Sequence, residues 1–388
     1  MDSELSTLDV IEPAKATLEP QIDLPLEPTL LGLKYRAGVI SDAFRGRIPL
    51  PKEMQNITEE LGVELATMAF SRILADSTKH GAFQRAIFEL GSSDLDDVLE
   101  TAGNFEVTVI ASNLYQSERR WGDHTETWRN WARQLGFKTE VIETSPLASV
   151  AANARLIGEF LRANRSAGKG SSPTRRILLS FGQGTAEIRY LLYQMQKGEK
   201  SPYKEALEQD VVAWVNVCGA YSGAEASRLT LSHRFERMRH ELAMRLKGRN
   251  PITLAETSSG YGLWQEPSAV PAQWLTMNLV GLPLVSDLMV KWRQNYRRIA
   301  ETMPNDGAVG VLQALIPNGL TYAIEGMTCA AEDLKLEQPL KRSLAVAIEV
   351  LQATVLASNP ATAETAFELI DSERKQKSVA PQSSHPIR

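Results

Sequence analysis

The chain has 388 residues, 43% of them hydrophobic and 23% charged, which is enough for one large α/β domain or two smaller ones and too apolar for a wholly disordered polymer. Its 42 Lys+Arg against 47 Asp+Glu leave a net charge of -5, so no nucleic-acid partner is expected. Two cysteines, Cys218 and Cys329, cannot build a disulfide framework or a four-thiolate zinc site, and no apolar run reaches the roughly 18 residues of a transmembrane helix.

In chain order, residues 1–30 carry Asp2, Glu4, Asp9, Glu12, Glu19, Asp23 and Glu27 against the single Lys15, and Pro13, Pro20, Pro25 and Pro28 interrupt them. They read as a disordered acidic leader. The stretch lacks a basic segment followed by an apolar one, so no secretory signal is expected and a cytoplasmic location is. Residues 31–104 read as a helical N-terminal extension, with the helical pattern concentrated at 55–90. Residues 105–372 then alternate strand and helix patterns. Apolar, β-branched runs at 107–111, 138–142, 176–180, 211–217, 274–280 and 320–325 suit strands buried on both faces. Between them run helical stripes such as Val150, Ala154, Ile157 and Leu161, or Leu340, Leu344, Ile348, Leu351 and Val355. The alternation predicts a doubly wound, mostly parallel α/β sheet.

Residues 222–271 exceed an ordinary crossover and are expected to form a cap-like insertion above the carboxyl ends of the strands. The insertion opens on a basic amphipathic segment bearing Arg234, Arg237, Arg239, Arg245, Lys247 and Arg249. Its basic face is expected to be solvated over an inward apolar stripe of Phe235, Met238, Leu242 and Leu246; an interfacial or partner-binding helix is the other reading. Residues 373–388 read as a disordered tail.

The informative passage runs from Arg175 to Leu192. An apolar strand enters Ser180-Phe181-Gly182-Gln183-Gly184 and passes straight into a helix. Here the chain resembles the α/β-hydrolase superfamily, in particular its lipase and esterase branch, whose G-x-S-x-G elbow holds a nucleophilic serine in a strained turn above the sheet. Ser180 takes the first glycine position, Gly184 the last, and Gly182 the serine position. The helix pattern of 149–161, the turn Val217-Cys218-Gly219-Ala220-Tyr221-Ser222-Gly223, the segment Asn305-Asp306-Gly307 and the strand leading to Met327-Thr328-Cys329 follow in the family's order. The resemblance implies Gly182, Asp306 and Cys329 at the nucleophile, acid and histidine positions, or Thr328 at the last if the alignment slips by one. Only Asp306 retains its chemistry.

Glycine has no side-chain nucleophile and a neutral thiol is a poor base, so the resemblance implies a pseudo-hydrolase with a degenerate triad. Such a protein would bind a small ligand or a protein partner in the former substrate cleft, with Ser112, Asn113, Gln183, Tyr221 and Ser222 as the candidate ligand-binding residues. The alternative is an active ester hydrolase with a displaced nucleophile, Ser180 or Ser222, served by His124 or another histidine. A ligand sensor whose insertion responds to binding is a third reading. The five histidines, His80, His124, His233, His240 and His385, show no metal-ligand spacing, so neither a metal nor a cofactor is expected. The glycine-bearing turn also lacks a P-loop lysine. Trp121, Trp128 and Trp131 read as core packing, or else as a pocket wall. No transmembrane segment is expected; peripheral membrane contact stays open.

Overall fold

Six runs rich in branched and other apolar residues form the sheet: β1 (Phe105–Ser112), β2 (Lys138–Val141), β3 (Arg175–Gly182), β4 (Val211–Val217), β5 (Leu275–Leu282) and β6 (Leu320–Glu325). The computed structural model describes residues 30–90, 101–112, 118–145, 148–165, 175–198, 201–246, 252–266, 268–328 and 334–356. Residues 1–29 of the expected leader, the tail, Asn113 and Cys329 lie outside these, as do the side chains of Ser112, Trp121 and His124. The strand order is β2-β1-β3-β4-β5-β6 and every pairing is parallel. The expected mostly parallel sheet is therefore parallel throughout its described strands. β5 is buried along its whole length and the interior of β3 nearly so, as helices on both faces require.

One face is covered by α4 (Thr78–Glu89), α5 (Glu118–Gln134) and α13 (Glu337–Leu356), which pack on Val107, Val109, Leu179, Val215 and Met277. The opposite face carries α6 (Val150–Ala163), α7 (Gln183–Lys197) and α8 (Lys204–Gln209) over Ile110, Leu178 and Trp214. Near β5, α1 (Leu30–Phe44), α2 (Pro51–Leu61) and α3 (Val63–Asp76) bury Ile40, Met54 and Phe70 with Val280, Leu282 and the α12 (Val290–Ile299) residues Trp292 and Tyr296. Trp128 and Trp131 are core residues, and Trp128 meets Phe181 edge-on at 5.1 Å. Among the described residues, no helix is long and apolar enough to cross a membrane.

The chain adds β2 on one side of β1 and all later strands beyond β3 on the other. The winding thus reverses between β1 and β3, and in open α/β sheets the crevice at that point, outside the carboxyl ends of the strands, is where ligands bind.

Between β4 and β5 lie α9 (Glu225–Ser232), α10 (Arg234–Leu246), α11 (Ile252–Glu256) and a short 3₁₀ turn, Gly262–Gln265. The expected inward stripe on α10 is a correction. Phe235 and Leu246 are 81% and 80% exposed, Met238 and Leu242 are exposed too, and the buried residue is Met244, packed on Leu254 and Leu231. Helical amphipathicity separates two faces without saying which turns inward. Here Met244 marks the face that turns inward, and Glu236 ties the helix to Arg298 of α12.

Candidate active site

The bend at the end of β3 is the centre of the site. Gly182 has φ 54° and ψ -118°, a combination that side-chain-bearing residues rarely adopt and that glycine reaches without steric cost. Gln183 opens α7 immediately afterwards. Gly184 is required for a different reason: a Cβ there would strike the backbone carbonyl of Ile110 on β1. Strand and helix thus pass as closely as an elbow demands. The backbone of Ser112, at the end of β1, lies in register with Gly182.

The acid position implied by the resemblance is drawn toward this bend. The turn after β4 reaches it directly, since Ala220 N–H donates to the Gly182 carbonyl at 3.0 Å. Two residues earlier, Cys218 has φ 44°, an unusual value for a residue with a side chain, and its thiol donates a hydrogen bond to the Asp306 carboxylate. Asp306 also accepts from the backbone N–H groups of Ala308 at 2.9 Å and Val309 at 2.8 Å. Burial pushes this carboxyl up to about 6, against the pull of those three hydrogen bonds. The chain after β6 closes the group: a Cβ on Gly281 would meet the Met327 carbonyl oxygen at 2.5 Å and Cys218 Sγ at 3.4 Å. Thr328, next along, is buried.

Ser180, the first candidate displaced nucleophile, is fully buried. Its Oγ accepts from Trp214 Nε1 at 2.8 Å and shares a 2.8 Å hydrogen bond with Thr185 Oγ1, which donates in turn to Asn216 Oδ1 at 2.7 Å. Ser222, half-buried, follows the turn after β4 and donates its backbone N–H to the Gln313 carbonyl at 2.9 Å. His80 lies at the other end of the sheet. Its Nδ1 accepts from the backbone N–H of Thr321, near the start of β6, at 3.1 Å, and burial, aided by Lys79, lowers its pKa to about 4. His233 is exposed on the insertion and His240 half-buried on α10.

Gln183 turns its side chain along α7, donating from Nε2 to Glu187 Oε1 at 3.0 Å; Asn153 Nδ2 on α6 donates to the same oxygen at 2.7 Å. Tyr221 is engaged at both ends. Its hydroxyl donates to the Ser268 carbonyl at 2.9 Å, and its ring lies 4.6 Å from the Arg189 guanidinium. Sequence reasoning passed over Arg189, on α7. This buried side chain also sits 5.0 Å from the Trp264 ring and donates to the carbonyls of Tyr221 at 2.7 Å, Trp264 at 3.2 Å and Glu266 at 3.0 Å. It fastens the insertion to the helix that begins at the bend, while burial lowers its pKa. Glu256, on α11, adds a second tie by accepting from the Val150 N–H at 2.8 Å.

Chemically, the site offers an elbow without a hydroxyl, a buried carboxyl paired with a thiol, and the backbone N–H groups at the start of α7. No protein-family model matches the chain, and no curated protein does. Among solved structures it is similar to the metagenomic carboxyl esterase MGS0156, with 17% identity and a TM-score of 0.49 over 87% of this chain and 99% of that one. It is also similar to the mature lipase BlEst2 of Bacillus licheniformis (13% identity, TM-score 0.43, 64% of this chain and 91% of that one). A third is lipase 1 of Pelosinus fermentans (9%, 0.46, 63% and 98%). The all-parallel strand order, the flanking helices and the strand-to-helix bend at Gly182 fit an α/β-hydrolase-like fold.

Proposed function

We propose that the protein is a non-catalytic α/β-hydrolase-fold protein that binds a small ligand or a protein partner at the carboxyl ends of its strands. The observation that carries this reading is the residue at the bend: φ 54° and ψ -118° present position 182 as an elbow presents its nucleophile, and that residue is glycine. Acyl transfer needs an activated oxygen or sulfur with a base in reach. Ser180 is committed to Trp214 and Thr185 inside the sheet, and the buried His80 lies at the opposite strand ends. The winding reversal between β1 and β3 supports a ligand there, with Ser112 at the end of β1 and Gln183 at the start of α7 beside it.

The retained Asp306 favours the second reading, an acyl hydrolase with a displaced nucleophile. One experiment separates the two. The full-length protein is assayed with p-nitrophenyl esters of increasing acyl length and treated with a fluorophosphonate probe. No labelling and no saturable turnover is the expected result. Saturable hydrolysis that disappears in Asp306→Asn overturns the non-catalytic reading.

A further inference from the structure

We propose that α10 is an interfacial anchor that lies on an anionic lipid surface, its apolar crest entering the headgroup layer and its arginines meeting the phosphates. At about 100° per residue, Phe235, Met238, Leu242 and Leu246 fall within an arc of roughly 80°, and all four are exposed, Phe235 by 81% and Leu246 by 80%. Met244, on the opposite side of the helix, holds it to the insertion through Leu254 and Leu231. The apolar arc therefore faces away from the protein.

The charges around that arc select the occupant. α10 carries four arginines and two glutamates, on a chain whose net charge is -5. Both glutamates are neutralised: Glu236 pairs with Arg298 of α12 at 2.8 Å and Glu241 with Arg237 at 2.8 Å. Arg234, Arg239 and Arg245 are exposed, and among the described residues none of them is in an ion pair. On the helical wheel they border the crest, Arg239 on one edge, Arg234 and Arg245 on the other. A crest of phenylalanine, leucine and methionine rimmed by arginine is the pattern of a helix lying in a membrane interface.

A second copy of the chain fits poorly. The 13-residue helix is about 20 Å long, so its crest offers roughly 200 Å² against the ~800 Å² per partner of a stable interface. Face-to-face pairing would also set arginine rims against each other. A narrow convex crest suits a fluid surface that closes around it. The inference rests on α10 alone and is independent of whether the strand-end site reacts.

The test is co-sedimentation of the full-length protein with vesicles of phosphatidylcholine alone and of phosphatidylcholine with phosphatidylglycerol, in low and high salt. Binding to the anionic vesicles only, reversed by salt, is expected. The exposed-site variant Phe235→Ser with Leu242→Ser should lose it, and Arg234→Gln with Arg239→Gln and Arg245→Gln should lower partitioning by about 100-fold, both with unchanged circular dichroism and melting. In Phe235→Trp, anionic vesicles should shift the added emission to the blue. Absence of vesicle binding, or binding that survives the serine pair, overturns the proposal. So does concentration-dependent dimerisation, or salt-sensitive capture of an acidic peptide, abolished by the serine pair in a protein that ignores vesicles.

Discussion

Replacing Asp306 with asparagine should change how stability responds to pH. The carboxyl rises from its ordinary 3.8 to about 6 because it is buried, and that displacement corresponds to about 3 kcal/mol. Between these two values the folded protein holds a proton on Asp306 that the unfolded chain has released. Stability attributable to this group therefore falls as pH climbs from about 4 to about 6, and the loss is complete above that window. Asparagine keeps an oxygen for the Ala308 and Val309 N–H groups and carries no charge to desolvate. The stability of Asp306→Asn minus that of the native protein should then grow by about 2.5 kcal/mol from pH 4 to pH 7.5, measured by urea unfolding. Taking the difference matters, because His80 contributes the opposite slope in nearly the same window and cancels between the two proteins. Parallel profiles across that range would refute the assignment of a neutral, buried carboxyl to position 306.

Two further outcomes follow from the geometry. Gly182→Ala places a side chain at φ 54°, ψ -118° and should cost about 1–3 kcal/mol, read as a lower urea midpoint at unchanged slope; an unaltered midpoint contradicts the strained bend. His80, lowered from 6.5 to about 4, stays neutral in the fold while the unfolded chain takes up a proton, so it weakens the protein as pH falls from about 6.5 to 4. His80→Asn, which keeps an acceptor for Thr321 N–H, should flatten that acid loss in thermal melts; an equally steep loss would exclude His80 as its source.

The strands were legible because a parallel sheet covered on both faces demands uninterrupted apolar runs, and six such runs stand out against their helical neighbours. The elbow was legible because its glycines are consecutive in sequence with the strand and helix they join. What escaped depends on long-range pairing. Cys218 and Asp306 meet across two strand ends with no shared local pattern. Arg189 looked like one more charged residue on a helix until the insertion folded over it. The outward crest of α10 is not legible in the sequence because the same four residues make an equally good stripe whichever way the helix is turned.

A row of polar residues inside the apolar strands has a consequence of its own. Ser180, Asn216, Asn278 and Thr321 stand side by side on four neighbouring strands. Asn216 Nδ2 reaches Asn278 Oδ1 at 3.3 Å and the Ala314 carbonyl at 2.6 Å, and Asn278 Oδ1 accepts the Ile316 N–H at 3.0 Å. Slipping any one of these strands by a single position would turn its polar member into the hydrocarbon layer on the far side and strand its partners. Apolar side chains alone tolerate such misalignment far better. This file of hydroxyls and amides acts as a key: it admits one alignment of the central strands, and with it one placement of the ends on which the bend at Gly182 and the acid at Asp306 are mounted.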